Sequence, residues 1–243
     1  MTINSFDNSP YISISENLKY IRNEIADATI KSGRTVDNVR LMAVTKTVSF
    51  DKINFAIENC GVDLIGENKV QEFLSKRDEL SLEGVEKHLI GHLQTNKVRK
   101  ILPEVDMIQS VDSLHLAEVI SKAAQNLGLN TNILLEINIG DEENKTGFDK
   151  VAFSESLEAI SQLPNITVKG LMTIPPICDT SLELEKYFAS MSDYYNEIKG
   201  KNYSNFDFQI LSMGMSGDYK EAIIHGSNLV RIGSAIFGAR IYK

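Results

Sequence analysis

The sequence predicts an α/β fold: a single (β/α)8 TIM-type barrel with one extra N-terminal helix. Three observations predict it. Short apolar, β-branched runs alternate with helical patterns, and regular βα alternation means parallel strands joined by right-handed crossovers. Eight strand-like runs with seven intervening helical patterns fill a chain of 243 residues, close to the ~250 that such a barrel uses. The competing open, doubly wound sheet usually carries a Gly-rich turn after its first strand, and T-K-T-V-S-F has no glycine. No low-complexity linker or internal repeat interrupts the pattern, so residues 1–243 read as one domain.

In chain order, residues 1–12 read as frayed. Ser13 or Ser15 is the expected cap of the first helix, with an incomplete capping box because Leu18 stands three residues after Ser15. Ile14, Leu18, Ile21, Ile25 and Ala28 then recur at helical spacing up to Ser32-Gly33. Strands are expected at 41–45, 63–65, 87–90, 107–109, 133–137, 167–172, 208–211 and 228–232. Helices are expected at 51–59, 70–80, 96–102, 114–127, 153–163, 182–198 and 218–225. A short helical turn is expected at 235–237.

Composition narrows the function. A net charge of -8 argues against a broad phosphate-backbone footprint, so nucleic acid is not an expected partner. It leaves room for a local basic pocket holding one small anion. Cys60 and Cys178 are far apart and match no metal spacing, and His88, His92, His115 and His225 show no ligand spacing on one helix. The N-terminus lacks a signal-peptide pattern, and no apolar run approaches the ~18 residues of a membrane span. The expected setting is cytoplasmic, with no membrane and no metal.

In a barrel of this kind the chemistry sits at the strand exits. The first strand ends on Thr45-Lys46. Apolar walls there can desolvate an ammonium and make the amine a nucleophile toward an aldehyde; alternatively Lys46 is a solvated charge closing a strand. The loops after strands seven and eight often bind phosphate in this fold. Here they are Ser212-Met213-Gly214-Met215-Ser216-Gly217 and Gly233-Ser234. Their small residues let backbone N–H groups approach an anion. Asp218 with Glu221 reads as a capping box just after the first of them. Arg231, inside the last strand, either forms a structural ion pair or faces the mouth as a donor. His92 either orients Lys46, stacks on a bound ring or is structural, and Asn68 either lines the mouth or caps the following helix. The acidic run 141–143 reads as a solvated loop.

These residues resemble the pyridoxal phosphate homeostasis proteins, which are related in fold to the N-terminal barrel of alanine racemase. The matching stretches are A-V-T-K-T at 43–47, G-E-N-K-V-Q-E at 66–72, H-L-I-G-H-L-Q-T-N-K at 88–97 and S-V-D-S at 110–113. N-I-G-D-E-E-N-K-T-G-F at 138–148, G-L-M-T-I at 170–174, L-S-M-G-M-S-G-D at 211–218 and the R-I-G-S-A-I-F-G-A-R terminus complete them. The one departure is Lys87, where the family often has an aromatic residue. The resemblance implies pyridoxal 5'-phosphate (PLP) held as an imine on Lys46. It implies that Ser216, Gly233 and Ser234 hold the phosphate and that Arg231 faces the pyridine nitrogen. Asn68, Met213 and His92 would line the ring, with Ser212 close by. It also implies a cofactor carrier without turnover that supplies PLP-dependent apo-enzymes, as a monomer or weak dimer. The alternatives are a PLP-dependent racemase or lyase, or a barrel enzyme acting on a phosphorylated metabolite. Racemisation needs a second acid–base group. In alanine racemases that group is a tyrosine from an additional domain, for which this chain leaves no room. Within the barrel mouth, His92 or Tyr219 would have to serve.

Overall fold

The computed structural model describes residues 9–142, 145–201 and 203–239. The eight strands are β1 (Arg40–Val44), β2 (Leu64–Glu67), β3 (Glu86–Leu89), β4 (Met107–Val111), β5 (Thr131–Ile137), β6 (Ile166–Thr173), β7 (Phe206–Ser212) and β8 (Leu229–Ile232). They form a closed, all-parallel barrel in sequence order, with β1 paired to β8 through Met42↔Arg231 and Ala43↔Ile232. The helices are α1 (Ser9–Lys31), α2 (Phe50–Cys60), α3 (Val70–Lys76), α4 (Val98–Ile101), α5 (Leu114–Leu127), α6 (Lys150–Ser161), α7 (Ser181–Lys199), α8 (Tyr219–Ile224) and α9 (Ser234–Phe237).

Alternation along each strand divides the core into two parts. Ala43, Ile65, Leu89, Ile108, Leu135, Leu171, Leu211 and Val230 point outward and join the helix-facing residues in one annular cluster. Inside the barrel lie two separate apolar clusters. Met42, Leu64 and Leu229 form one, and Met107, Leu134 and Met172 form the other.

Several elements differ from expectation for local reasons. α1 begins at Ser9, so residues 9–12 are helical rather than frayed, and Ser13 and Ser15 lie inside the helix; residues 1–8 lie outside the described residues. Pro10 falls in its first turn, where a missing N–H costs no hydrogen bond. The helix expected at 96–102 is a 3-10 turn, the four-residue α4 and a second 3-10 turn containing Pro103. α6 starts three residues early because the Asp149 side chain accepts from the amides of Val151 and Ala152. α1 buries Ile14, Leu18, Ile21 and Ile25, and Asn17 donates to the Ile236 carbonyl at 3.1 Å, tying it to α9.

A bulge shifts the register of β6 against both neighbours next to Gly170. Gly170 has φ +146°, and a Cβ there would lie 1.8 Å from the Ile210 carbonyl oxygen. Gly170→Ala should therefore lower unfolding free energy by about 2–3 kcal/mol, the cost of overpacking a tight site. Urea denaturation that leaves the midpoint unchanged would contradict the close approach.

Candidate functional site

Lys46 stands on the turn just past β1, half-buried. That turn is pinned from the side of α3. The Lys76 ammonium donates to the Thr45 carbonyl at 2.9 Å and pairs with Glu67, while the Thr47 amide donates to Glu72 at 2.5 Å. Glu67 accepts from the Thr45 hydroxyl as well, and burial pushes its carboxyl up against the pull of Lys76. Thr47 has φ 61°, an unusual conformation for a β-branched residue. The G-E-N-K-V-Q-E stretch thus supplies both carboxylates that hold the lysine turn.

Because β1 neighbours β8, the turn lies beside the glycine-rich exits. Lys46, Thr47, Val48, Gly233 and Ser234 line one cavity of about 260 Å³. Gly233 packs on β1, where a Cβ would come within 3.2 Å of the Val44 carbonyl oxygen. Ser216, from the loop after β7, reaches over so that its Oγ accepts from the amides of Gly233 at 3.4 Å and Ala235 at 3.3 Å. Asp218 does not cap α8 through its side chain. Its carboxylate turns back to accept from the Met215 amide at 2.5 Å, closing the loop on itself.

Arg231 projects into the barrel and is 3% exposed. It donates to Ser212 Oγ at 2.7 Å and to the Thr173 carbonyl at 2.8 Å. Burial pulls its pKa down to about 10, while Glu136 and Asp218 act in the opposite direction, so it remains a cation at neutral pH. From Ser212 a file of side chains runs down the barrel. Ser212 donates to Gln109 at 2.8 Å, Gln109 bonds His88 Nδ1 at 2.8 Å, and His88 Nε2 bonds Glu86 at 2.6 Å. Arg40 closes the file on the N-terminal rim, 2.7 Å from Glu86. The hydrogen bond from His88, and then the hydrogen bond and charge of Arg40, hold the Glu86 carboxyl down at about 2.

On the other side of the mouth, His92 is 55% exposed and its Nδ1 lies 2.9 Å from Asp112. Nearby Glu136 accepts from Thr146 at 2.8 Å, and burial raises its carboxyl. Phe148 forms a parallel bridge with Ile137, which brings Thr146 to this carboxylate. Gly147 permits that approach, since a Cβ there would lie 2.6 Å from the Asn138 amide nitrogen. Asn68 does not cap α3; its Oδ1 is buried without a hydrogen-bond partner. Gly91 gives its main chain passage, because a Cβ would meet the Asn68 carbonyl oxygen at 2.3 Å.

The structure thus gathers Lys46, Ser216, Gly233 and Ser234 on one side of the mouth, with Ser212 and Arg231 beneath it and His92 at its rim. Met213 is different. Its fully buried side chain belongs to the annular, helix-facing cluster, and its carbonyl accepts from Ser227 Oγ at 2.7 Å. Tyr219 is in that cluster too, and it lines a groove with Asn17 and Tyr20 of α1 to which Ser216 and Ala235 also contribute. Among the described residues, no group of three or more His, Cys, Asp or Glu is placed to hold a metal. No described helix is long and apolar enough to cross a membrane.

Residues 15–241 match the family model described as alanine racemase, N-terminal domain, and the closed barrel defines the chain as one of that fold class. The pyridoxal phosphate homeostasis protein of Aquifex aeolicus is 38% identical over 227 residues, covering 93% of this chain and 98% of the relative. The protein of the same name in Escherichia coli K12 is 36% identical over 233 residues, covering 95% and 98%. PipY of Synechococcus elongatus, solved with PLP bound, superposes with a TM-score of 0.81 at 32% identity, covering 93% of this chain and 100% of that one. The chain belongs to the pyridoxal phosphate homeostasis protein family.

Glu86 gives the site a pH signature. A depressed carboxyl pKa contributes stability that is present above its ordinary value of 4.5 and is lost as pH falls toward about 2. The gap in melting temperature between wild type and Glu86→Gln should therefore be widest above pH 4.5 and should close toward pH 2. A gap that widens on acidification would contradict the pairing with His88 and Arg40.

Proposed function

We propose that the protein binds PLP at this mouth, holds it as an imine on Lys46, and acts in PLP homeostasis by keeping the cofactor and supplying it to apo-enzymes. The observation that carries the reading is the joint lining of one cavity by the Lys46 amine and the Gly233–Ser234 turn, with Ser216 bonded to the Gly233 amide beside it. The donor set fits the group. A phosphate needs N–H and O–H donors: the Ser216 and Ser234 hydroxyls provide the latter, and the Gly233 and Ala235 amides would exchange their long bonds to Ser216 Oγ for it, completing a cup. An aldehyde needs an amine, which Lys46 provides. The orphaned Asn68 Oδ1 awaits a donor.

When bound, PLP supplies an electron-withdrawing ring conjugated to an imine. The protein's own residues determine how far that capacity is used. Arg231 offers the ring nitrogen a hydrogen bond from a group that is already a cation, which disfavours protonating that nitrogen. That suits storage better than the stabilisation of carbanions. Asn68 and His92 flank the ring in this reading, with Ser212 orienting Arg231. His92 is tied to Asp112 and Tyr219 packs outside the barrel, so among the described residues the mouth presents no tyrosine in the role that alanine racemases give to one. The conclusion is a carrier without turnover of its own, working in the cytoplasm as a monomer or weak dimer. The runner-up readings, a racemase or lyase and a barrel enzyme for a phosphorylated metabolite, would show turnover or bind no PLP.

Borohydride treatment of the PLP-loaded protein should fix the cofactor on the peptide containing Lys46, read by mass spectrometry. Lys46→Ala should remove the visible band while keeping weaker, phosphate-dependent binding. Recovery of the adduct on Lys52 or Lys145 instead would refute the assignment.

Ser216→Ala and Ser234→Ala each delete one hydroxyl donor to a charged acceptor. Each should weaken PLP binding by about 1.5–3 kcal/mol, the range for charge-assisted hydrogen bonds. Pyridoxal without its phosphate should bind far more weakly in titration. Equal affinity for the two ligands would rule out the cup.

A further inference from the structure

The file below Arg231 has only one consistent donor direction. A guanidinium can only donate, so Ser212 Oγ accepts from it. The hydroxyl proton then goes to Gln109 Oε1, and the Gln109 amide donates to His88 Nδ1. His88 must therefore carry its proton on Nε2, which donates to Glu86, a carboxylate that can only accept. Both ends are fixed by groups with no choice of role. Reversing Gln109 would aim its amide at Ser212, which already receives Arg231, and strip the Ser212 hydroxyl of its acceptor. Ser212, Gln109 and Arg231 are buried, and the His88 side chain is fully so. No bulk solvent is at hand to replace a lost partner. The far end is open: the side chains of Arg40 and Glu86 are 45% and 31% exposed on the rim opposite the mouth.

We infer that Gln109, His88 and Glu86 are positioning residues for the ligand at the mouth. They set the tilt and donor direction of Arg231, and they couple the Arg40–Glu86 pair on one rim to the ring-binding end of the barrel on the other. The inference rests on the reading of the mouth as a PLP site. It makes a rim carboxylate, four hydrogen bonds from Arg231, part of the site's electrostatics. The neighbouring Lys87 faces outward to Asp106 and has no part in it.

The test has two arms. In ligand-free protein labelled with 15N-histidine, NMR should show His88 with a bare Nδ1 and a protonated Nε2. In Gln109→Leu the Nδ1 signal should move to the position of an unbonded nitrogen. In PLP-loaded protein, Gln109→Leu and Glu86→Gln should shift the absorption band and weaken PLP binding roughly two- to thirty-fold, the span of couplings carried through such networks. Lys87→Gln, next in sequence to Glu86, should change neither. Melting curves at neutral pH check that each variant is folded, and a shift in melting temperature alone does not count as coupling. A His88 proton on Nδ1 would overturn the donor direction and the proposal with it. So would band and affinity unchanged in both file variants, or equal changes in Lys87→Gln. If wild type binds PLP and the rim variants are silent, only the coupling fails. If wild type takes up no PLP, the functional reading fails and the coupling fails with it.

Discussion

A guanidinium buried inside a parallel barrel is the constraint on which the rest of the interior depends. Arg231 cannot shed its charge at neutral pH, and an unpartnered ion away from water costs far more than any single packing contact returns. Its neighbours answer that cost. Thr173 gives a main-chain carbonyl, Ser212 a hydroxyl, and behind Ser212 stand Gln109, His88 and finally Glu86. The result is a mixed interior: two small apolar clusters, with Ile210 packed against both, share the barrel with the polar file.

The lysine turn obeys a similar logic on the outer face. Thr45, Glu67, Glu72 and Lys76 form a knot between β2 and α3, so the main chain on both sides of Lys46 is held from behind. A side chain placed on so constrained a turn can keep a fixed aim toward the neighbouring cup without support from a lid. The raised carboxyl of Glu67 and the raised carboxyl of Glu136 have the same cause, burial, in different places. One sits under the turn and the other across the mouth beside Asp112 and Arg231.

Strand order and the extra helix were legible because parallel strands covered on both faces are near-continuous apolar runs. α5 was read to the residue at 114–127 because Ser113 caps it and Gly128 ends it in the left-handed conformation. α4 was overestimated, since apolar spacing over seven residues does not distinguish an α-helix from linked 3-10 turns. That Lys46, Ser216, Gly233 and Ser234 stand just past strand ends was legible from the strand–helix alternation. Asn68 and Asp218 looked like caps because local sequence favours that use, but the folded chain puts one carbonyl oxygen in a buried gap and turns the other side chain back on its own loop. Gln109 and His88 escaped notice for a physical reason. Their meaning lies in contacts across the barrel, such as the bond from Ser212 to Gln109, which spans 103 residues. The only local trace was a polar residue at an inward position of a strand, M-I-Q-S-V.

The pairing of β1 with β8 has a consequence for the order of assembly. Lys46 follows the first strand, whereas Arg231, Gly233 and Ser234 arrive with the last, and the two groups meet only when the ring shuts through Met42↔Arg231 and Ala43↔Ile232. A partly built barrel already has the amine but not the cup. A small molecule gripped by both therefore recognises the finished ring alone, and mass action then favours the closed form over any opened one. On the proposed reading the ligand is a clasp between the two ends of the sheet, and its free concentration sets how often that joint parts.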